Sequence, residues 1–138
     1  MTKALFLIVP DGFRDEEYSV PKEILENSGV EVVTCSTVKG PLTGKMGLTT
    51  ATVDVLLDEV NPADYDCILI VGGQDTFWNN ETVLNLIKEM NNQNKVIAAI
   101  CISGAIPAQA GIMHGKRGTV FATLESLEEL KKYGVIYN

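Results

Sequence analysis

Cys101 is the side chain of this sequence best placed to carry out chemistry. It follows the apolar run at residues 96–100 and precedes Ser103 and Gly104, which favour a turn and the start of a helix. The run predicts a strand buried on both faces, so the thiol would lie at the carboxyl edge of a sheet, where open α/β sheets bind ligands. The N-terminus of the next helix would favour thiolate over thiol. The position predicts a nucleophile on a sharp strand-to-helix turn; the alternative is a buried, inert cysteine.

A carboxyl group from the beginning of the chain is the second candidate. Glu17 follows a predicted first strand at residues 4–9 by a short loop, so it belongs to the same carboxyl edge as Cys101. A protonated carboxyl there could donate a hydrogen bond to a thiolate and transfer a proton. The alternative is a solvated acid in the run Asp15-Glu16-Glu17, which suits any helix N-terminus.

Two consecutive glycines, Gly72 and Gly73, follow a predicted strand at residues 66–71. Glycine permits close approach of the backbone, so their N–H groups could meet a substrate oxygen; the alternative is a tight turn without chemistry. Trp78, with Phe77, could wall a pocket beyond them, although aromatic residues beside a glycine turn more often serve packing. The fingerprints of phosphate-binding loops are absent.

Strand-like and helix-like segments alternate along the whole chain, which predicts an α/β fold with a parallel sheet covered on both faces. The predicted strands are residues 4–9, 30–35, 66–71, 96–100 and 118–121, with the start of another at 135–137, and a hairpin is predicted within 41–48. The predicted helices are residues 16–27 with Asp15 as the cap, 81–92, 103–110 and 124–133.

Composition excludes several classes of protein. With 138 residues, 46% of them hydrophobic, the chain is expected to form one domain with a real core. A net charge of −7 argues against electrostatic binding to nucleic acid or to an anionic membrane. The apolar runs are too short for a membrane span, and the first strand starts too early for a signal peptide, so a cytoplasmic location is expected. Three cysteines without a close pair predict no disulfide framework, and no metal or organic cofactor is expected.

Four segments, in this order and spacing, carry a resemblance to a known group of proteins. They are Asp11-Gly12-Phe13-Arg14-Asp15-Glu16-Glu17-Tyr18 with Pro21; Asp64-Tyr65-Asp66 to Gly72-Gly73; Ala98-Ala99-Ile100-Cys101; and Ala110-Gly111-Ile112 to Gly115-Lys116-Arg117-Gly118-Thr119. The chain resembles the ThiJ/PfpI superfamily, the DJ-type cysteine proteins that are distantly similar to class I glutamine amidotransferase domains. The resemblance implies a three-layer, flavodoxin-like sandwich with a mostly parallel sheet and a nucleophile elbow.

The same resemblance implies roles for four residues. Cys101 would be the nucleophile, Glu17 the buried acid beside it, and the backbone N–H groups of Gly73 and Ile102 the donors of an oxyanion hole. It implies glyoxalase-like or deglycase-like chemistry on a small reactive carbonyl compound, without a cofactor, in a homodimer or larger homo-oligomer. The alternatives are a redox-sensing or stress-response protein without turnover and, third, a protease-like or amidase-like enzyme.

The chain departs from the ThiJ/PfpI pattern in its histidines and at its C-terminus. Relatives place a histidine directly after the nucleophile or on a later strand, where this chain has Ile102 and, approximately, Phe121. The single histidine, His114, is expected on a surface loop far from Cys101. Relatives also continue past Tyr137 with a strand and a final helix, so the single domain 1–138 is expected to be a shortened form or to rely on contacts in an oligomer. Cys35 and Cys67 are expected to be packed and unreactive.

Overall fold

The structure, a computed structural model, describes all residues from 1 to 138 as nine strands and four α-helices. The strands are β1 (Lys3–Leu7), β2 (Glu31–Ser36), β3 (Pro41–Thr43), β4 (Thr50–Thr52), β5 (Val55–Leu56), β6 (Cys67–Ile70), β7 (Val96–Ala99), β8 (Arg117–Gly118) and β9 (Ile136–Tyr137). The helices are α1 (Asp15–Asn27), α2 (Glu81–Asn92), α3 (Ala105–Gln109) and α4 (Leu124–Lys132), and short 3₁₀ turns span Leu57–Glu59, Pro62–Asp64 and Cys101–Gly104. None of the helices has the length and apolar character needed to span a bilayer.

Five parallel strands form the central sheet in the order β5-β2-β1-β6-β7. The chain moves outward from β1 to β2 through α1, and outward in the opposite direction from β6 to β7 through α2. Because such crossovers are right-handed, the reversal puts α1 and α2 on opposite faces of the sheet. The predicted α/β architecture is therefore confirmed. The reversal also opens a crevice at the carboxyl ends of β1 and β6, the usual ligand site of such sheets.

The depth of burial differs sharply between the central strand and the edge strand. Residues 4–9 of β1 and its extension are at most 2% exposed, since this strand has a neighbour on each side. The prediction that residues 96–100 are buried on both faces is wrong. Its strand, β7, pairs only with β6 and forms the edge of the sheet, which leaves Val96 66% and Ile100 37% exposed.

Asp15 anchors the loop of the β3–β4 hairpin. The prediction that Asp15 caps α1 is wrong. Arg14 occupies the cap position, and Asp15 is the first helical residue. The carboxylate of Asp15, only 2% exposed, accepts hydrogen bonds from three backbone N–H groups of the loop: Met46 at 2.7 Å, Thr49 at 2.8 Å and Leu48 at 3.0 Å. A side chain on Gly44 would overlap this carboxylate, so glycine is required there.

The other differences from the predicted elements are local. The hairpin extends to Thr52, beyond the predicted 41–48, and β5 was not predicted. The strand predicted at 118–121 is limited to β8, which pairs with β9 outside the central sheet. It stops because the Phe121 N–H donates to the Cys101 carbonyl, which draws the segment toward the turn after β7. The helix predicted at 103–110 starts as the 3₁₀ turn at Cys101–Gly104 and continues as α3.

The anchor at Asp15 predicts a pH-dependent contribution to stability. Burial raises the pKa of Asp15, but the N–H groups of Met46, Thr49 and Leu48 outweigh it, so the pKa lies below the ordinary value. This stabilisation is therefore present above the unfolded-state pKa of about 3.9 and is lost as the pH falls through the folded-state value. Asp15→Asn should lower the melting temperature at pH 7 more than Asp58→Asn, which removes an exposed carboxylate. The gap should shrink below pH 4, and thermal melts that give equal losses at pH 7 would contradict the anchor.

Candidate functional site

Cys101 occupies a backbone conformation that L-residues rarely adopt. Its φ is +61°, in the left-handed region, at the junction between β7 and the 3₁₀ turn Cys101–Gly104. Such a conformation costs about 1 to 3 kcal/mol and persists only where the surrounding structure fixes it. The sharp turn predicted from the sequence is therefore present, and it carries the thiol at the carboxyl edge of the sheet.

Hydrogen bonds to the elbow and to the adjoining end of β6 fix this conformation. The Cys101 carbonyl accepts from the Phe121 N–H at 3.0 Å, and the Ile102 carbonyl accepts from the indole N–H of Trp78 at 2.9 Å. The Ile100 carbonyl accepts from the Ser103 N–H at 3.1 Å. The Ser103 hydroxyl donates to the carbonyl of Val71 at 3.0 Å and so ties the turn to the end of β6. The backbone around the thiol thus has little freedom to relax.

Glu17 and Cys101 meet across Gly72. The carboxylate of Glu17 accepts a hydrogen bond from the Gly72 N–H, with its Oε1 at 2.9 Å from the nitrogen. A Cβ atom on Gly72 would lie 2.7 Å from the Cys101 Cβ and 2.7 Å from the same Oε1. Any side chain at Gly72 would therefore separate the carboxyl from the thiol. The predicted pair is brought together, and glycine is needed for its close approach.

The loops after β1 and β6 are held against each other beside this pair. Phe13 and Gly73 form an isolated antiparallel bridge, and the Arg14 N–H donates to the Gly72 carbonyl at 2.9 Å. A Cβ on Gly73 would lie 2.5 Å from the Gly12 carbonyl oxygen, so the backbone approach also requires glycine. This bridge determines where α1 begins and therefore where Glu17 stands.

Gly73 and Ile102 present the two backbone N–H groups that the sequence analysis singled out. Neither donates to a carbonyl or side-chain oxygen of the chain. The Ile102 N–H is directed at the sulfur of Cys101. The Gly72 N–H, by contrast, is already bonded to Glu17. The Gly73 N–H is therefore free to meet a substrate oxygen, whereas the Ile102 N–H already faces the sulfur.

The electrostatic environment corrects one expectation about Cys101. Burial raises the pKa of its thiol, the Ile102 N–H lowers it, and the charge of Glu17 and its hydrogen bond to the sulfur raise it again. Arg14 lowers the pKa by a smaller amount, and the net pKa is above the ordinary value. The expected preference for thiolate over thiol is therefore wrong. Two negative charges this close repel each other, so the Glu17 carboxylate disfavours the thiolate form of Cys101.

A cavity of about 350 Å³ opens above the thiol and brings in residues that sequence reasoning missed. The predicted Cys101, Glu17, Gly73 and Ile102 line it, together with Arg14, Glu16, Lys45, Phe121 and Thr123. Arg14 lies within the motif that carried the resemblance, and Phe121 lies near the position where that resemblance led us to expect a histidine, so these two left a sequence signal. Lys45 left none, because only the folded hairpin brings it to the cavity.

The remaining candidates lie outside this cavity. His114 is exposed and lies beside Gly134, as expected, and it does not line the cavity. Cys35 is fully buried, and burial raises its pKa to about 12, whereas Cys67 is only partly buried, with a raised pKa due mainly to desolvation.

Neither of the two aromatic residues predicted to wall the pocket lines the Cys101 cavity. Trp78 lines a shallow depression that adjoins the cavity through Ile102 and Thr123. Phe77, at 6% exposed, belongs to the hydrophobic core. Trp78 therefore supports the site through its hydrogen bond to Ile102.

The cavity predicts an order of reactivity among the three thiols. Cys101 should react first with iodoacetamide at pH 8, because it lines a cavity open to reagents, and Cys35 should react last. With a pKa of about 12, only about one Cys35 thiol in ten thousand is ionised at that pH. Peptide mass spectrometry of a time course measures the order. Equal or faster labelling of Cys35 or Cys67 would contradict the assignment.

The contact between Glu17 and Cys101 predicts how neutralising Glu17 changes the pKa of the thiol. Glu17→Gln removes the charge that raises the Cys101 pKa and supplies an amide N–H donor, so it should lower the pKa of the thiol. Thiolate absorbance against pH in a Cys35→Ser, Cys67→Ser background measures the titration. Glu23→Gln, on the exposed side of α1, is the matched control and should leave it unchanged. An unchanged Cys101 titration in Glu17→Gln would contradict the predicted effect of Glu17 on the thiol pKa.

Comparison with known proteins identifies the family to which the chain belongs. A family model described as the DJ-1/PfpI family matches residues 2–138. An uncharacterized protein of Methanocaldococcus jannaschii, MJ0967, is 45% identical over 98% of this chain and 67% of its own length. The deglycase PYRAB04690 of Pyrococcus abyssi is 34% identical over 85% of this chain and 71% of its own length. The crystal structure of a ThiJ/PfpI domain protein from Brachyspira murdochii superimposes with a TM-score of 0.89 at 27% identity, covering 99% of this chain and 78% of that one. The chain belongs to the DJ-1/PfpI family.

Proposed function

We propose that the chain is a cysteine-dependent enzyme that converts small 2-oxoaldehydes to 2-hydroxy acids, a glyoxalase-like or deglycase-like activity. The observation that carries this proposal is the contact between the Cys101 thiol and the Glu17 carboxylate across Gly72. In this proposal Cys101 is the nucleophile, Glu17 the proton carrier, and the N–H groups of Gly73 and Ile102 the oxyanion donors, all lining one cavity. The deglycase from Pyrococcus abyssi lends support from a relative.

The first half of the reaction activates the thiol and joins it to the substrate. Glu17 takes the proton of the thiol, and the thiolate sulfur of Cys101 adds to the aldehyde carbon of the substrate. The aldehyde oxygen gains the negative charge as the carbon–sulfur bond forms. In this proposal the N–H groups of Gly73 and Ile102 stabilise that oxygen, and Glu17 returns the proton to give a hemithioacetal.

The second half of the reaction moves hydrogen within the adduct. Glu17 removes the hydrogen on the former aldehyde carbon as a proton and delivers it to the neighbouring carbonyl carbon. The proton of the hemithioacetal hydroxyl passes to the neighbouring carbonyl oxygen. The first carbon is oxidised to a thioester and the second is reduced to a secondary alcohol, so no external oxidant is required. Water then cleaves the thioester, releases a 2-hydroxy acid and restores the Cys101 thiol. The net reaction consumes one 2-oxoaldehyde and one water.

The contents of the cavity argue against peptide hydrolysis. A cysteine peptidase needs a general acid to protonate the leaving amine, a role that histidine fills in many such enzymes. Phe121 lines the cavity, and His114 does not. The protease-like alternative therefore lacks its acid within this chain.

Redox sensing by Cys101 is the second candidate function. The thiol is partly exposed in an open cavity, as a sensor requires. Its raised pKa argues against rapid oxidation, however, because the thiolate is the species that reacts with peroxide. A bound carbonyl substrate differs from peroxide in being held next to Glu17, which can remove the thiol proton during the reaction. The enzymatic proposal is therefore the stronger one.

Lactate formation from methylglyoxal tests the proposed function. The purified protein should produce lactate, Cys101→Ser should reduce this to background, and Glu17→Gln should lower kcat by about a hundredfold or more, the usual contribution of a positioned acid-base group. Cys67→Ser and His114→Gln, which change residues outside the cavity, should retain full activity. Enzymatic quantification of lactate, with both isomers assayed, provides the measurement. Undiminished activity in Cys101→Ser, or no lactate from the wild-type protein, would overturn the proposal.

A further inference from the structure

The hairpin loop of residues 44–49 holds Lys45 over the Cys101 cavity. The Lys45 N–H donates to the Phe13 carbonyl at 2.8 Å, and the next turn of the loop is bound to the buried carboxylate of Asp15. Lys45, an exposed residue, lines the same cavity as Cys101. The loop is thus fixed from both sides, and it brings its one cation to the cavity that holds the thiol.

Lys45 is the cation of this cavity that lacks an acidic partner. Arg14, the other cation, donates from its Nε to Glu16 at 2.6 Å and so forms an ion pair. No carboxylate lies within 4.0 Å of the Lys45 ammonium, although the chain carries a net charge of −7. Arg14 is therefore already neutralised by Glu16, whereas the charge of Lys45 is left for a ligand of the cavity.

We propose that Lys45 forms a carboxylate subsite beside Cys101, which binds carbonyl compounds or products that carry a carboxylate close to the reacting carbon. This inference deepens the proposed function and, for its catalytic part, rests on it. The ammonium attracts an anion into the cavity while the thiol is being alkylated or acylated. For a 2-oxoaldehyde, the 2-hydroxy acid that leaves the enzyme is such an anion, so Lys45 should also determine how tightly the product is held.

The apolar and acidic residues that line the cavity with Lys45 limit which anions the subsite can bind. Phe121, 60% exposed, and Ile102 provide an apolar wall of the cavity. A ligand with one anionic end and a short apolar body would match both sides of the cavity. Compounds with several anionic groups would bring a second charge toward Glu16 and Glu17 and should bind poorly.

A pair of alkylating reagents tests the subsite without requiring turnover. Iodoacetate and iodoacetamide react with a thiol by the same displacement of iodide and differ in carrying a carboxylate or an amide. In a Cys35→Ser, Cys67→Ser background, the ratio of the iodoacetate rate to the iodoacetamide rate at Cys101 should fall about threefold to tenfold in Lys45→Met, the effect of one nearby charge at intermediate dielectric. Lys45→Arg keeps the charge and should retain the ratio. Lys88→Met, which removes an exposed lysine of α2, should leave it unchanged.

The outcomes separate this inference from the proposed function. An unchanged ratio in Lys45→Met would overturn the subsite, and so would an equal fall in Lys88→Met, which would show only the effect of overall charge. A fall confined to Arg14→Gln would assign anion binding to Arg14 instead. If the wild-type protein forms lactate, inhibition by added lactate should weaken in Lys45→Met and stay unchanged in Lys88→Met. A lowered reagent ratio together with no lactate formation would support the subsite while overturning the proposed function.

Discussion

The positive φ of Cys101 is the constraint on which the rest of the site depends. A β-region backbone at this position would continue β7 and carry the thiol away from the crevice at the switch point. The conformation costs about 1 to 3 kcal/mol, so the fold must hold it. The carbonyl of Ile102 therefore accepts a hydrogen bond from the indole of Trp78, and that of Cys101 accepts one from the backbone of Phe121. The carbonyl of Ile100 accepts from the Ser103 N–H within the turn itself. Residues after β8 serve this purpose, which explains why the predicted strand at 118–121 stops short and bends toward the elbow.

The same constraint makes the two glycines at the end of β6 indispensable. With the elbow fixed, the distance between the thiol and Glu17 is determined by what lies between them, and that is the Gly72 backbone. Its N–H also orients the carboxylate. Burial and the adjacent carboxylate together raise the pKa of Cys101, which disfavours its thiolate form. A helix N-terminus could have opposed this, but the segment begins as a 3₁₀ turn followed by an α-helix of five residues, so few aligned peptide dipoles reach the sulfur.

How far the sequence predicts this protein depends on whether a feature is local. The alternation of apolar runs predicts the parallel sheet, and the position of Cys101 after an apolar run predicts the elbow, because both follow from neighbours in the chain. The apolar run at residues 96–100 does not predict that β7 is an edge strand, because a run of five apolar residues is compatible with one neighbouring strand or with two. Asp15 was misassigned for a related reason. An acid at a helix start fits a cap, whereas its actual partners lie more than thirty residues away in the β3–β4 loop. Lys45 reaches the cavity through that same long-range contact.

The acid-base inventory of the cavity limits the chemistry that the family fold can perform in this chain. Hydrolysis of an amide needs a group that protonates a strongly basic leaving nitrogen, and the histidine that fills this role in many cysteine peptidases has no counterpart among the residues that line the cavity. In the proposed conversion of a 2-oxoaldehyde, the leaving group of the last step is the Cys101 thiolate itself, a much weaker base than an amine. Glu17 can receive the thiol proton at the start and return it at the end, and between these steps it moves a hydrogen from one carbon of the adduct to the next. One carboxyl, placed by one glycine against one thiol, is sufficient for that sequence, which is why the absence of a histidine favours carbonyl chemistry over proteolysis.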